Sequence, residues 1–130
     1  MEGSRYLVLL ADGPKRKVSC ARRTNGSSES RDYLESIDDK AQVKFAALFQ
    51  RMADAGVLSE NKIKLLEDSG GIWEFKSGEH RSLCFRDGPV WVVTHGFRKR
   101  GQKTPMNQIT RAQTIRSEYF ELKDQCREDE

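Results

Sequence analysis

One change of rhythm constrains this chain more than any other feature. From about residue 30 to residue 56 the apolar side chains recur with a helical period, and beyond it they alternate. Phe45, Leu48, Phe49 and Met52 stand at i, i+3, i+4 and i+7, which is one stripe of an amphipathic helix. Asp38 or Asp39 can cap that helix, and Gly56 ends it as a glycine just past the last turn does. From about Ser30, Tyr33, Leu34 and Ile37 share a face and predict a shorter helix ahead of it. Glu29, Asp32, Glu35, Asp38 and Asp39 gather where the positive ends of the two helix dipoles would be. After Gly56, the segments 62–67, 71–77, 80–87 and 89–97 read as consecutive strands joined by glycine-containing turns. In HRSLCF, alternation places Arg81, Leu83 and Phe85 on one face and His80, Ser82 and Cys84 on the other.

The two ends complete the pattern. Residues 5–12 and 17–23 read as short strands around a GPKR turn, a hairpin. Thr104 and Pro105 open a last helix, Thr as cap and Pro in the first turn. Its stripe is Ile109, Ala112, Ile115, Tyr119 and Leu122. The order is therefore hairpin, two helices, antiparallel meander, helix. That is an α+β domain with the helices expected on one sheet face and the other face open. At 130 residues the chain suits a single domain, 1–130, around one core. Residues 123–130 read as an acidic tail.

Composition matters here mainly through where the charge falls. Lys and Arg number 23 against 20 Asp and Glu, a net charge of only +3. Yet between His95 and Arg116 there are Arg98, Lys99, Arg100, Lys103, Arg111 and Arg116 and no acid at all. A local anion site on a balanced surface is the expectation. Cys20, Cys84 and Cys126 are far apart and odd in number, which fits neither a disulfide framework nor a zinc site. With His80 and His95 the only histidines, neither a metal nor another cofactor is expected. The apolar run at residues 6–11 is too short for a signal core or a membrane span, so a cytoplasmic protein is expected.

The open face would collect Lys62, Lys64, Lys76, Arg81, His95, Lys99 and Lys103. Cations on adjacent strands match the needs of phosphate recognition. Cutting RNA without a metal takes a base for the 2′-hydroxyl proton, cations for the crowded phosphorane, and an acid for the departing 5′ oxygen. No Ser or Cys nucleophile is required. The plainer readings stand beside this one. A basic loop is commonly a solvated face, and His80 beside a turn reads as solvated. His95 reads equally as a satisfied core imidazole or a proton carrier. Arg81 must either pair with an acid such as Glu74 or face a site. Trp73, Trp91 and Cys84 read as core.

The segment IKLLEDSGGIWEFKSGEHRSLCF followed by THGFRKRGQKTPMNQITRA resembles the RelE/HigB toxins of type II toxin–antitoxin systems, in their phage-derived branch. Phe97, Lys99, Lys103, Thr104, Pro105 and Ala112 fall in register, and the likeness covers roughly residues 17–120. Residues 1–16 look like an added N-terminal strand. The resemblance implies a RelE-like, microbial-ribonuclease-like fold, an antiparallel sheet carrying two N-terminal helices and a C-terminal one. It implies endonucleolytic cleavage of mRNA, in many members on the ribosome, and neutralisation by a cognate antitoxin, often of the helix-turn-helix type. It implies that Arg81 holds the scissile phosphate and Lys99 stabilises the transition state. Glu74 and Lys76 occupy the strand where relatives place catalytic lysines. Lys64, Lys76, Arg98, Arg100 and Lys103 would contact RNA. The late tyrosine of some relatives has no counterpart, because Thr104 and Pro105 occupy that stretch, so His95 and Glu74 become the candidate proton carriers. The missing tyrosine also leaves open a ParE-like toxin acting on DNA gyrase, and a nucleic-acid-binding phage protein without chemistry is a third reading.

Overall fold

The computed structural model describes residues 4–128. Six strands form one sheet: β1 (Leu7–Asp12), β2 (Lys17–Ala21), β3 (Ile63–Leu65), β4 (Trp73–Ser77), β5 (His80–Asp87) and β6 (Val90–Arg98). Three helices accompany them: α1 (Glu29–Ser36), α2 (Asp39–Ala55) and α3 (Met106–Glu128). The strand order is β1-β2-β6-β5-β4-β3. The meander from β3 to β6 is antiparallel as expected, but β2 lies parallel to β6, so the sheet is mixed. The reason is connectivity. Everything from α1 to β5 intervenes between those two strands, a crossover long enough to return the chain in the same direction.

The helices do not share a face, and this corrects the sequence reading. Phe45, Leu48, Phe49 and Met52 of α2 pack on Val18, Phe75, Cys84, Trp91 and Val93. Ile109, Ala112, Ile115 and Tyr119 of α3 pack on the opposite side, against Ile72, Leu83, Phe85 and Val92. A sheet whose strands are apolar on both faces needs a cover on each, and β5 and β6 are of that kind. Trp91 and Cys84 are buried as expected, and Trp73 meets Trp91 edge to face at 5.3 Å. Leu122 closes the α3 stripe, and the helix runs on to Glu128, with Lys123 bonded to Asp87 at 2.6 Å. The expected acidic tail is therefore the end of α3 as far as the described residues go; residues 1–3 and 129–130 of the two expected end segments lie outside them.

Local chemistry explains the helix ends. Ser28 caps α1 by accepting from the Arg31 amide, slightly earlier than the periodicity suggests. Asp38 caps α2 by accepting from the Ala41 amide at 2.8 Å, and Gly56 ends it with φ +81°. α1 docks on β6 through Tyr33, whose ring occupies the space a side chain at Gly96 would need. Thr104 does not cap α3. The Pro105 carbonyl accepts the first helical bond, from the Gln108 amide at 3.0 Å, and the Thr104 hydroxyl is used elsewhere.

An irregularity in β6 decides which side chains reach each face at its end. Phe85 pairs with Val92 and Cys84 with Val93, but Leu83 pairs with His95, so Thr94 is an extra residue in β6. Its hydroxyl donates to the Leu83 carbonyl at 3.2 Å. A one-residue bulge exchanges the faces of every side chain beyond it. Past Thr94, Phe97 stands opposite Arg81, and Lys99 continues on that side while Arg98 turns to the other.

Candidate active site

Between the sheet and the start of α3 lies a cleft of about 480 Å³ lined by Lys64, Lys76, Lys99 and Lys103, by the acids Glu67, Asp68 and Glu74, and by Thr104 among others. β3 supplies Lys64 opposite Glu74 of β4, and Lys76 of β4 stands opposite Arg81 of β5. The backbone amide of Lys99 donates to the Glu79 carbonyl at 2.7 Å, which holds the residue in line with the sheet. Among the described residues, none of these four lysines has a carboxylate within ion-pairing distance. Burial lowers the pKa of the Lys99 ammonium. The nearby Arg81, Lys76 and Lys64 push the same way and Glu74 opposes them, so the five groups share one electrostatic neighbourhood.

Glu74 is the buried anion of the cleft, only 1% exposed, whereas Glu67 and Asp68 are exposed at its rim. It accepts a hydrogen bond from the Thr104 hydroxyl, which ties the loop before α3 to the sheet. Arg81 stands behind the wall, its side chain 14% exposed, with Nε 3.7 Å from Glu74 Oε2. That separation is an ion pair without a hydrogen bond, and Nε has no hydrogen-bond partner. Nη1 donates to the carbonyls of Gly78 and His80, at 2.7 and 2.9 Å. Those bonds fix the plane of the guanidinium and leave Nη2 without a partner among the described residues.

Other residues singled out in the sequence lie elsewhere. His95 lies on the α3 side but is 3% exposed, its Nε2 at 2.8 Å from Gln108 Oε1 and its Nδ1 at 3.1 Å from the Thr94 hydroxyl. It borders a different cleft, of about 440 Å³, where Arg111 is already paired with Glu29. His80 is buried rather than solvated, with Nδ1 2.6 Å from the Tyr33 hydroxyl. Arg98 is on the α1 side of the sheet, 3.6 Å from Glu79. Arg100 is exposed in the following loop. Two contributors escape the sequence reading, Thr104 as a ligand of Glu74 and Thr94 as the bulge. A hydroxyl that serves a residue 30 positions away leaves no local signal.

Burial also lowers the pKa of His95, against the Gln108 bond, which favours the charged ring. The unfolded chain then binds the extra proton more readily than the native one just below the ordinary value of 6.5. Stability should rise with pH up to about 6.5 and level off above it. Urea midpoints between about pH 5 and pH 7.5 should show this slope, and His95→Gln should flatten it.

No helix among the described residues is long and apolar enough to cross a membrane, and none of their His, Cys, Asp and Glu side chains gather in threes to hold a metal ion. The family described as phage-derived protein Gp49-like (DUF891) matches residues 32–117, which include most of α1, all of α2, the whole meander and every residue of the cleft. The chain belongs to this Gp49-like family. It is a family of RelE/HigB-like toxins in toxin–antitoxin systems, so an antitoxin partner is implied. No curated protein matches the chain. The Gp49-like match leaves β1, β2 and the first turn of α1 outside, along with the last turns of α3. The α+β layout, with its meander and helices, is consistent with a RelE-like fold.

Proposed function

We propose that this Gp49-like protein is the toxin of a toxin–antitoxin pair and an endoribonuclease that cuts mRNA without a metal ion. The observation that carries the reading is the convergence of Lys64, Lys76, Arg81 and Lys99 around the buried Glu74, with the lysines free of carboxylate partners among the described residues. A phosphodiester seated there has a non-bridging oxygen facing the Lys99 ammonium, and in this reading another reaches past the wall to Arg81 Nη2 beside Glu74. Lys64, Lys76 and Lys103 hold the neighbouring phosphates. The 2′-hydroxyl oxygen attacks the adjacent phosphorus, the bond to the 5′ oxygen breaks, and a 2′,3′-cyclic phosphate and a 5′-hydroxyl result. Of the two candidate proton acceptors, Glu74 lines the cleft, whereas His95 has both ring nitrogens engaged on a separate one. Glu74 takes the 2′ proton, and Lys99 gives one to the 5′ oxygen. An ammonium made easier to deprotonate is a better acid for that step. Fixed charges that need no reorganisation supply much of the rate.

Lys99→Met keeps most of the unbranched stem of the side chain and removes its charge. It should lower RNA cleavage by about 10²-fold, the usual loss of one donor to a developing anion, and relieve growth arrest in cells. Circular dichroism should be unchanged, because Lys99 is only partly buried. Growth arrest that persisted without any transcript cleavage would move the target from RNA to a protein such as DNA gyrase. The antitoxin, proposed to be a helix-turn-helix protein, neutralises the activity by binding this chain.

A further inference from the structure

A second cationic groove lies on the opposite side of the sheet from the proposed active site. It has a volume of about 280 Å³ and is walled by Lys44 and Arg51 of α2, Lys62 ahead of β3, and the Ser77–Gly78 turn. No acid lines it, and none of its three cations pairs with a carboxylate among the described residues. Lys40, Lys44, Ala47 and Arg51 recur at helical spacing along one exposed stripe of α2, and the small Ala47 leaves the floor open. Three unpaired cations facing one concavity raise the local potential well above that of scattered surface lysines.

The two clefts are joined through the end of the sheet. The Lys76 amide donates to the Lys62 carbonyl at 2.9 Å, so bonded neighbours send one lysine into each cleft. Gly78 lines the α2 groove while its carbonyl holds Arg81 Nη1 at 2.7 Å. The edge strand β3 between them is only three residues long. A strand leaving the cleavage cleft meets no wide barrier before the second set of cations.

We infer that the groove formed by Lys44, Arg51 and Lys62 is a second phosphate-backbone site, which grips nucleotides flanking the scissile step as the RNA wraps around the β3–β4 end of the sheet. The inference rests on the ribonuclease reading of the first cleft. It makes the enzyme one that prefers long single strands, and it reads the backbone rather than the bases there.

The test combines Lys44→Ala, Arg51→Ala and Lys62→Ala in the full chain. Lys44 and Arg51 are exposed and Lys62 half-buried, so the fold should hold, as circular dichroism will check. Two substrates are compared, a short oligonucleotide confined to the cleavage cleft and a long unstructured strand. The triple variant should raise KM for the long strand by about tenfold, leave its kcat alone, and leave the short substrate untouched. The slope of log KM against log salt should become shallower by about 2, three lost contacts at about 0.7 each. An unchanged KM and an unchanged salt slope on the long strand would overturn the inference. If the wild type binds the long strand but cuts neither RNA, the ribonuclease reading fails. The difference in salt slope of binding between wild type and variant then still decides the groove.

Discussion

Arg81→Lys should leave a folded protein whose RNA cleavage is lower by about 10³-fold. The two side chains carry the same charge, so Glu74 keeps a cation nearby and the pair survives. The fork is what goes. Arg81 spends one nitrogen on the Gly78 and His80 carbonyls and thereby aims the rest of its plane. A lysine has a single ammonium and cannot anchor itself and present a second donor edge at once. The loss should therefore appear in kcat, where an interaction made mainly with the phosphorane is felt, and only weakly in KM. Single-turnover cleavage of a defined RNA with the wild type, Arg81→Lys and Lys99→Met measures this. If Arg81→Lys cleaved at the wild-type rate, Arg81 would be only the counter-ion of Glu74.

Much of the frame is legible in periodicity. The stripes of α2 and α3 are buried residue for residue, and β5 runs from His80 to Asp87 as the alternation indicates. Those elements announce themselves because one face of each is apolar at a fixed period. The rest depends on contacts between distant segments. Alternation along one strand says which residues share a face but not which side each helix takes, so α3, expected beside α2, lies across the sheet from it. The bulge at Thr94 exchanges Lys99 and Arg98 between faces, and nothing in VVTHGFRK marks an extra residue. Simple alternation from Val92 would turn Arg98 towards Arg81 and send Lys99 away. The assignment of Lys99 comes from the family likeness of HGFRKRGQKTP, and the bulge is the physical reason it falls on the side of Arg81. Lys44 and Arg51 give no signal in the sequence, because a charge on the outer stripe of an amphipathic helix is ordinary until a third element closes over it.

Arg81→Met should cost about 3–5 kcal/mol of stability, much more than a surface arginine would. The cost comes from the group left behind. Glu74 is 1% exposed and would keep only the Thr104 hydroxyl and lysines that stand beyond ion-pairing distance. A carboxylate in that position is stranded away from water with most of its lone pairs unserved. Glu74→Met in the same background removes the stranded charge, so the double variant should recover most of the loss and be more stable than Arg81→Met alone. Chemical denaturation of the four proteins of this cycle gives the coupling directly. Strongly non-additive costs are expected, since each single change leaves one partner unpaired and the double change leaves none. Single costs of under about 1 kcal/mol that simply add would mean that water already reaches Glu74. In that case water would already serve the carboxylate, and it could not lock Arg81 against the sheet. The preorganised charge on which the proposed phosphate chemistry depends would be lost with it.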